Sequence, residues 1–263
     1  MAREASDLAP RAVGHWRTRL EWLSLPLLLL VWQIAAMIAT SRFLPTPFMV
    51  AGQIVDLAVN GHLLADFGKT LTRAVFAFVI AMVLGGVLGF ALGRVSALDR
   101  LFGSWVLVGM NLPAIVIAII CYIWLGLSEF ALVLAVVINK TPLVITTIRE
   151  GVRSFLPEYE ELGAVFRMPL GRRLRLIHLP QLMPFVMTAA RTGLALIWKI
   201  VLVFEVLGSD GGVGFRVSIF FQYFDMAGIL AYTTVFVAMA MAFEHGLLRR
   251  VERRVVRWRK DQP

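Results

Sequence analysis

Residues 74–92 read AVFAFVIAMVLGGVLGFAL, nineteen consecutive positions without a charged side chain. An α-helix rises 1.5 Å per residue and bilayer hydrocarbon is about 30 Å thick, so about 20 apolar residues cross it. The stretch is therefore read as a membrane span, and the same test can be carried outward along the chain. Five further segments meet it, at 22–40, 103–125, 129–148, 185–207 and 226–246, with this one at 72–93. Composition agrees: 59% of the 263 residues are hydrophobic, 16% are charged, and the mean hydropathy is +0.79. A soluble domain would carry roughly 25% charge. The sequence predicts an all-α, polytopic membrane bundle of six transmembrane helices. Its span region covers 22–248, between an N-terminal segment 1–21 and a basic tail 249–263.

Two features inside the quoted stretch and its neighbours concern packing. Gly85, Gly89 and Gly93 recur every four residues, which lays a smooth stripe along one helix face. That stripe predicts close approach of another helix, in a tight bundle or at a dimer seam. Pro113 lies in the third span, and Lys140 and Pro142 in the fourth, so both spans are expected to kink or break where neighbouring protein satisfies the freed carbonyls. The first span follows basic residues as a signal peptide would, but no small-residue cleavage site stands out, and it is read as retained.

The net charge of +9 is spread as topology markers. Nineteen Lys and Arg fall in segments sharing one side: Arg3, Arg11, Arg17, Arg19, Arg94, Arg100, six from Arg149 to Arg175 and seven from Arg249 to Lys260. The other side holds Arg42, Lys69 and Arg216. Positive residues favour the cytoplasm, which places both termini and the 149–184 loop inside. No basic face is concentrated on a soluble domain, so nucleic acid is not an expected partner. The lipid bilayer is.

Catalytic motifs fail one by one. Gly68-Lys69-Thr70 resembles the tail of a phosphate-binding loop, but the required first glycine falls on Leu63. No zinc-binding His-Glu-x-x-His helix and no Gly-x-Ser-x-Gly elbow occur. His15, His62, His178 and His245 are scattered, and the only cysteine, Cys121, sits in an apolar run as a small hydrophobe. The chain is read as no enzyme, with no cofactor or metal of its own.

The 149–184 loop is the longest connection. Pro157 suits the first position of a helix, with Glu158, Glu160 and Glu161 in its opening turns. After Pro169, Leu170, Leu174 and Ile177 fall at helical spacing, and Pro180 and Pro184 lead into the fifth span. Such a segment could lie on anionic lipid or dock a partner.

Here the chain resembles the permeases of ATP-binding-cassette importers. Their signature begins Glu-Ala-Ala, has Gly six residues after the Glu and ends Ile-x-Leu-Pro; Ile177-His178-Leu179-Pro180 fits the end and aligns Glu161 with the start. Leu44-Pro45-Thr46-Pro47, Thr70-Leu71-Thr72-Arg73, Leu112-Pro113-Ala114 and Glu205 to Gly208 with Gly212-Val213-Gly214 look like the nitrate, sulfonate and taurine branch. Together the similar stretches reach from about residue 20 to 250. One departure is clear. Arg167 stands where the signature has glycine, and Gly163 replaces its second alanine, so either the turn differs or Gly163 or Gly171 takes the glycine's role. The resemblance implies a homodimer in the bacterial inner membrane, with separate ATPase subunits that use the ATP and an external solute-binding protein. It implies a coupling role for Glu161, Ala164, Arg167, Leu179 and Pro180.

Charges inside the fifth span suggest the pathway. A central lysine costs about 2.5–3.5 kcal/mol to insert, so Lys199 is expected to face a cavity or a partner. Arg191 lies about 80° from it on the helix, whereas Glu205 is about 240° round and a poor partner. Lys199 would attract a small anion such as nitrate, a sulfonate or a taurine-like compound, or else pair with Glu205 of another subunit. Asn111, Arg191 and Glu205 are further pathway candidates. The rival reading is an ion-gradient-driven secondary transporter, against which stand the single set of spans and the few intramembrane carboxylates.

Overall fold

The computed structural model describes residues 15–243 and Gly246, of which 15–22 by backbone alone. The tail 249–263 and residues 1–14, with their basic residues and His245, lie outside the described residues. Every regular element among the described residues is helical. In chain order they are α1 His15–Ala39, α2 Pro47–Val59, α3 Leu63–Arg94, α4 Ser96–Asn111, α5 Ala114–Leu125 and α6 Glu129–Arg153. Then come α7 Pro157–Val165, α8 Leu170–Arg173, a π-helical turn Leu174–His178, α9 Leu179–Gly208, α10 Val213–Gln222 and α11 Met226–Phe243.

Three of these, α3, α6 and α11, are long and apolar enough to cross a membrane alone. Two bent pairs raise the number to five: α4 with α5, at 97°, and Leu170–Gly208 with α10, at 48°. The first bend falls at Leu112-Pro113, because Pro113 forces extended backbone on its predecessor (Leu112 φ −68°, ψ 126°). The expected first span survives as a shorter apolar helix, Leu23–Ala39. Helix α2 was not anticipated. Its start is written in Thr46-Pro47: Thr46 Oγ1 accepts the Met49 N–H at 3.3 Å and Pro47 opens the helix.

Helix α3 begins nine residues before its expected start, and α6 runs unbroken through Pro142. Pro142 removes one N–H from the ladder, leaving the Ile138 carbonyl without its helical donor; the rest of the helix holds on either side. A kink or break was expected there, and the helix does not break.

The core is the contact of α3 with α6. Ala74, Ala77, Ala81, Gly85 and Gly89 form one buried face of α3. A β-carbon on Gly85 would come within 2.5 Å of Val144 Cβ, on Gly89 within 2.7 Å of the Ile145 carbonyl oxygen, and on Gly93 within 2.6 Å of Val152 Cβ. The glycine stripe is thus an intrachain seam, where missing side chains let two backbones meet. Leu132, Val136, Ile197, Val201 and Phe204 close the same core from α6 and α9.

Gly89→Ala should therefore cost about 1–3 kcal/mol, because the Ile145 backbone cannot move aside freely. Gly86→Ala, with nothing within 4 Å of the added carbon, should leave stability unchanged. Thermal unfolding of the two purified variants in one detergent compares them directly.

Candidate functional site

Polar groups gather around two arginines of α3, Arg73 and Arg94, which lie about 32 Å apart along the helix. Around the first, Arg73 is 4% exposed and holds three carboxylates. Its Nη1 donates to Glu205 Oε1 at 2.7 Å and to the Gly211 carbonyl at 2.6 Å. Its Nε donates to Glu129 Oε2 at 2.6 Å while Nη2 donates to the other oxygen, a fork-on-fork pairing that also reaches Asp210 at 3.2 Å. Glu205 is 1% exposed and its remaining valences are filled by Thr70 Oγ1 and the Gly214 N–H, each at 2.9 Å. Gly212 takes φ +101°, and a β-carbon there would lie 2.4 Å from Glu205 Oε1. Only glycine allows that backbone to pass the carboxylate. Beside it, Asp66 accepts from Tyr232 Oη at 2.8 Å and Arg216 Nε at 3.0 Å. These contacts join the start of α3, the start of α6, and the α9–α10 bend.

Next to this network opens a cleft of about 630 Å³ between α3 and α6, lined among others by Lys69, Thr72, Arg73, Phe76, Glu129 and Val133.

At the far end of α3, Arg94 Nη2 donates to Glu160 Oε1 at 2.5 Å. Glu160 also takes the Arg173 guanidinium and lies 2.8 Å from His178 Nε2. Helix α7 is thereby latched to α3 and to the turn entering α9. The His178 ring stacks on Phe155 with centroids 5.3 Å apart. Burial, then the nearby Arg94 and Arg173, push its pKa below the usual histidine value. The neutral ring uses Nε2 either to donate to Glu160 or to accept from Arg94, which is 2.7 Å away.

The signature-glycine position is answered by geometry. Arg167 keeps the left-handed backbone, φ +45°. Met168 N–H bonds the Gly163 carbonyl at 2.9 Å and Arg167 N–H the Ala164 carbonyl at 3.0 Å. That is the Schellman closure of α7, with arginine where glycine usually stands. Gly163 acts differently, through packing. A β-carbon there would meet Ile177 Cδ1 at 2.9 Å, so its absence seats α7 on the turn. Of the three apolar residues at helical spacing beyond Pro169, Ile177 is buried, and Leu170 and Leu174 are exposed.

The five residues proposed for coupling lie in this region. Glu161, Ala164, Arg167 and Leu179 are exposed and Pro180 is half-buried in the first turn of α9. Exposed Tyr159, Leu162, Val165, Phe166 and Leu170 share the α7–α8 segment with them. The carboxylate at the centre of the latch is Glu160, which the sequence marked only as an N-terminal helix residue. Its neighbours come from three other segments, and no local pattern carries that information.

The four pathway candidates are not brought together. Glu205 belongs to the Arg73 network. Lys199 is exposed in a groove of about 360 Å³ between α9 and α11, beside Trp198 and Phe236. Asn111 donates to the Leu107 carbonyl at the α4 end, 2.8 Å away, and Arg191 is exposed on α9. Gly68-Lys69-Thr70 lies within α3, so the phosphate-loop likeness has no loop to occupy. Among the described residues no group of three or more His, Cys, Asp and Glu is placed to hold a metal.

Residues 81–257 match the family described as binding-protein-dependent transport system inner membrane component. A putative aliphatic sulfonates transport permease protein, SsuC of Bacillus subtilis, is 22% identical over 93% of this chain and 91% of its own length. The taurine transport system permease protein TauC of Escherichia coli is 24% identical over 89% and 88%. Among solved structures, a chain of the MetNI methionine ABC transporter in an inward-facing conformation superposes with a TM-score of 0.65. It is 15% identical and covers 73% of this chain and 96% of that one.

A helical integral membrane fold with a latched loop helix thus coincides with a family match over most of the chain. The chain belongs to the binding-protein-dependent transport system inner membrane components. It is the permease component of an ABC importer and not an enzyme.

Arg167→Gly should keep the α7 turn and stabilise it by about 1 kcal/mol, since glycine bears no penalty at positive φ. Protease protection of the 154–170 segment should increase. A loss of protection would mean that the arginine side chain, and not its backbone, holds the turn.

Proposed function

We propose that two copies of this chain form the translocation core of an importer in the bacterial inner membrane, each with six spans and both termini in the cytoplasm. The bias of basic residues toward the α7 end supports that orientation. An external solute-binding protein delivers a small anion of the nitrate, sulfonate or taurine kind. Relatives named for sulfonates and taurine support the class.

One observation carries the coupling role. Helix α7 is anchored on its inner side by Glu160, while its outer side and the following turn expose Val165, Phe166 and Leu170 at 67–85% beside Glu161, Ala164 and Arg167. Exposed apolar side chains on a firmly held helix suit a protein partner. The ATPase subunit seats there, and its closure on ATP moves α7, hence α3 through Arg94 and α9 through the π-helical turn. Leu179 and Pro180, at the start of α9, receive that movement. Lys199, Arg191 and Asn111 serve the pathway, and Glu205 serves it indirectly by holding the α9–α10 bend.

Native mass spectrometry of the tagged chain from its own host should find two copies with two P-loop ATPase subunits. Phe166→Asp should lower ATPase retention about tenfold, as expected for an apolar anchor at an interface. A chain isolated alone, or as a homo-oligomer without ATPase, would overturn the coupling assignment.

A further inference from the structure

Lys140, near the middle of α6, is 6% exposed. Among the described residues its ammonium has no hydrogen-bond or ion-pair partner. A cation inside a membrane protein is costly and ordinarily pairs or faces a polar path. The carboxylates of the long helices cannot serve it. Asp66 is bound by Arg216 and Tyr232, and Glu129 and Glu205 are bound by Arg73. Glu150 lies about 15 Å further along α6.

Placement on α6 sets Lys140 in line with the cleft along one helix face. Val133 lines the cleft between α3 and α6. Lys140 follows it by two turns, about 20° away on the same helical face and about 10 Å further along the helix. Thr147 continues that face another two turns toward the α7 end. Lys199, by contrast, is exposed in the α9–α11 groove.

We propose that Lys140 is a fixed cation of the translocation pathway, pairing with the anionic group of the solute as it passes from the cleft toward the α7 end. The proposal rests on the importer reading and supplies its substrate class with a residue. Pairing is transient: the counter-charge arrives with the solute and leaves with it, so the site selects for anions without a permanent partner inside the chain.

Cysteine reactivity in the assembled complex, in membranes and with Cys121→Ala as background, tests this. The probes are an anionic and a cationic methanethiosulfonate reagent. Lys140→Cys should react with aqueous reagent, at rates differing between the nucleotide-free and the ATP–vanadate-trapped complex. With Lys140 intact, Thr147→Cys should favour the anionic over the cationic reagent. That preference should fall about tenfold on adding Lys140→Gln and persist with Lys140→Arg, as a charge focused in a cleft requires. A Lys140→Cys that is unreactive in both states, or a preference that Lys140→Gln does not move, overturns the proposal. Should Lys140→Cys fail to assemble, the Thr147→Cys comparison decides with Lys140 in place. Failure of the importer reading itself shows separately, as a chain that retains no ATPase.

Discussion

The Arg73 guanidinium is the constraint on which one end of the bundle depends. Three carboxylates and a carbonyl meet on a side chain that is almost wholly buried. Removing charges from water costs several kcal/mol per ion, recovered only where geometry is good and the remaining valences are filled. Here they are filled: Glu205 gains a hydroxyl and a backbone N–H, and Arg73 uses all three of its nitrogens. Such a cluster tolerates little rearrangement, because separating any pair strands a charge. It therefore fixes the relation of α3, α6 and the α9–α10 bend more firmly than apolar contact alone would.

Away from that cluster the bundle is held by shape. Helices in lipid gain nothing from the hydrophobic effect against one another, so close backbone approach and dispersion contacts carry the association. The alanine and glycine face of α3 supplies that closeness along its whole length. The two kinds of interaction divide the labour: charge fixes one end, small residues seat the middle, and the Glu160 latch closes the other end on α7.

Much of this was legible in the sequence because it follows from local chemistry. Pro113 announced the bend between α4 and α5, Pro157 the start of α7, and the four-residue glycine spacing the seam. The family likeness rested on separate short stretches, and the structure explains two of them as one object: Thr70 and Arg73 reach Glu205 and the Gly212–Gly214 backbone. Their sequence separation, over 130 positions, hid that meeting. Glu160 and Lys140 were passed over for a related reason. Which of two neighbouring glutamates turns inward, and whether a lysine near a proline is buried, depends on how helices roll against each other. At Pro142, of the kink or break expected, no break occurs: the α3–α6 contact and the helix on either side keep α6 whole despite one missing hydrogen bond. At Arg167 the sequence posed two alternatives, and the backbone shows a third outcome, the glycine conformation kept by an arginine.

The continuity of α6 has a mechanical consequence. At 25 residues it is about 37 Å long, tied by Glu129 to Arg73 at its start and by Arg149 and Arg153 to Asp99 of α4 at its finish. A rod held at both ends in this way cannot shorten or shear internally; it moves as one piece with the helices it is tied to. A displacement imposed at one end is therefore carried to the other by the stiffness of a single helix and not absorbed between them.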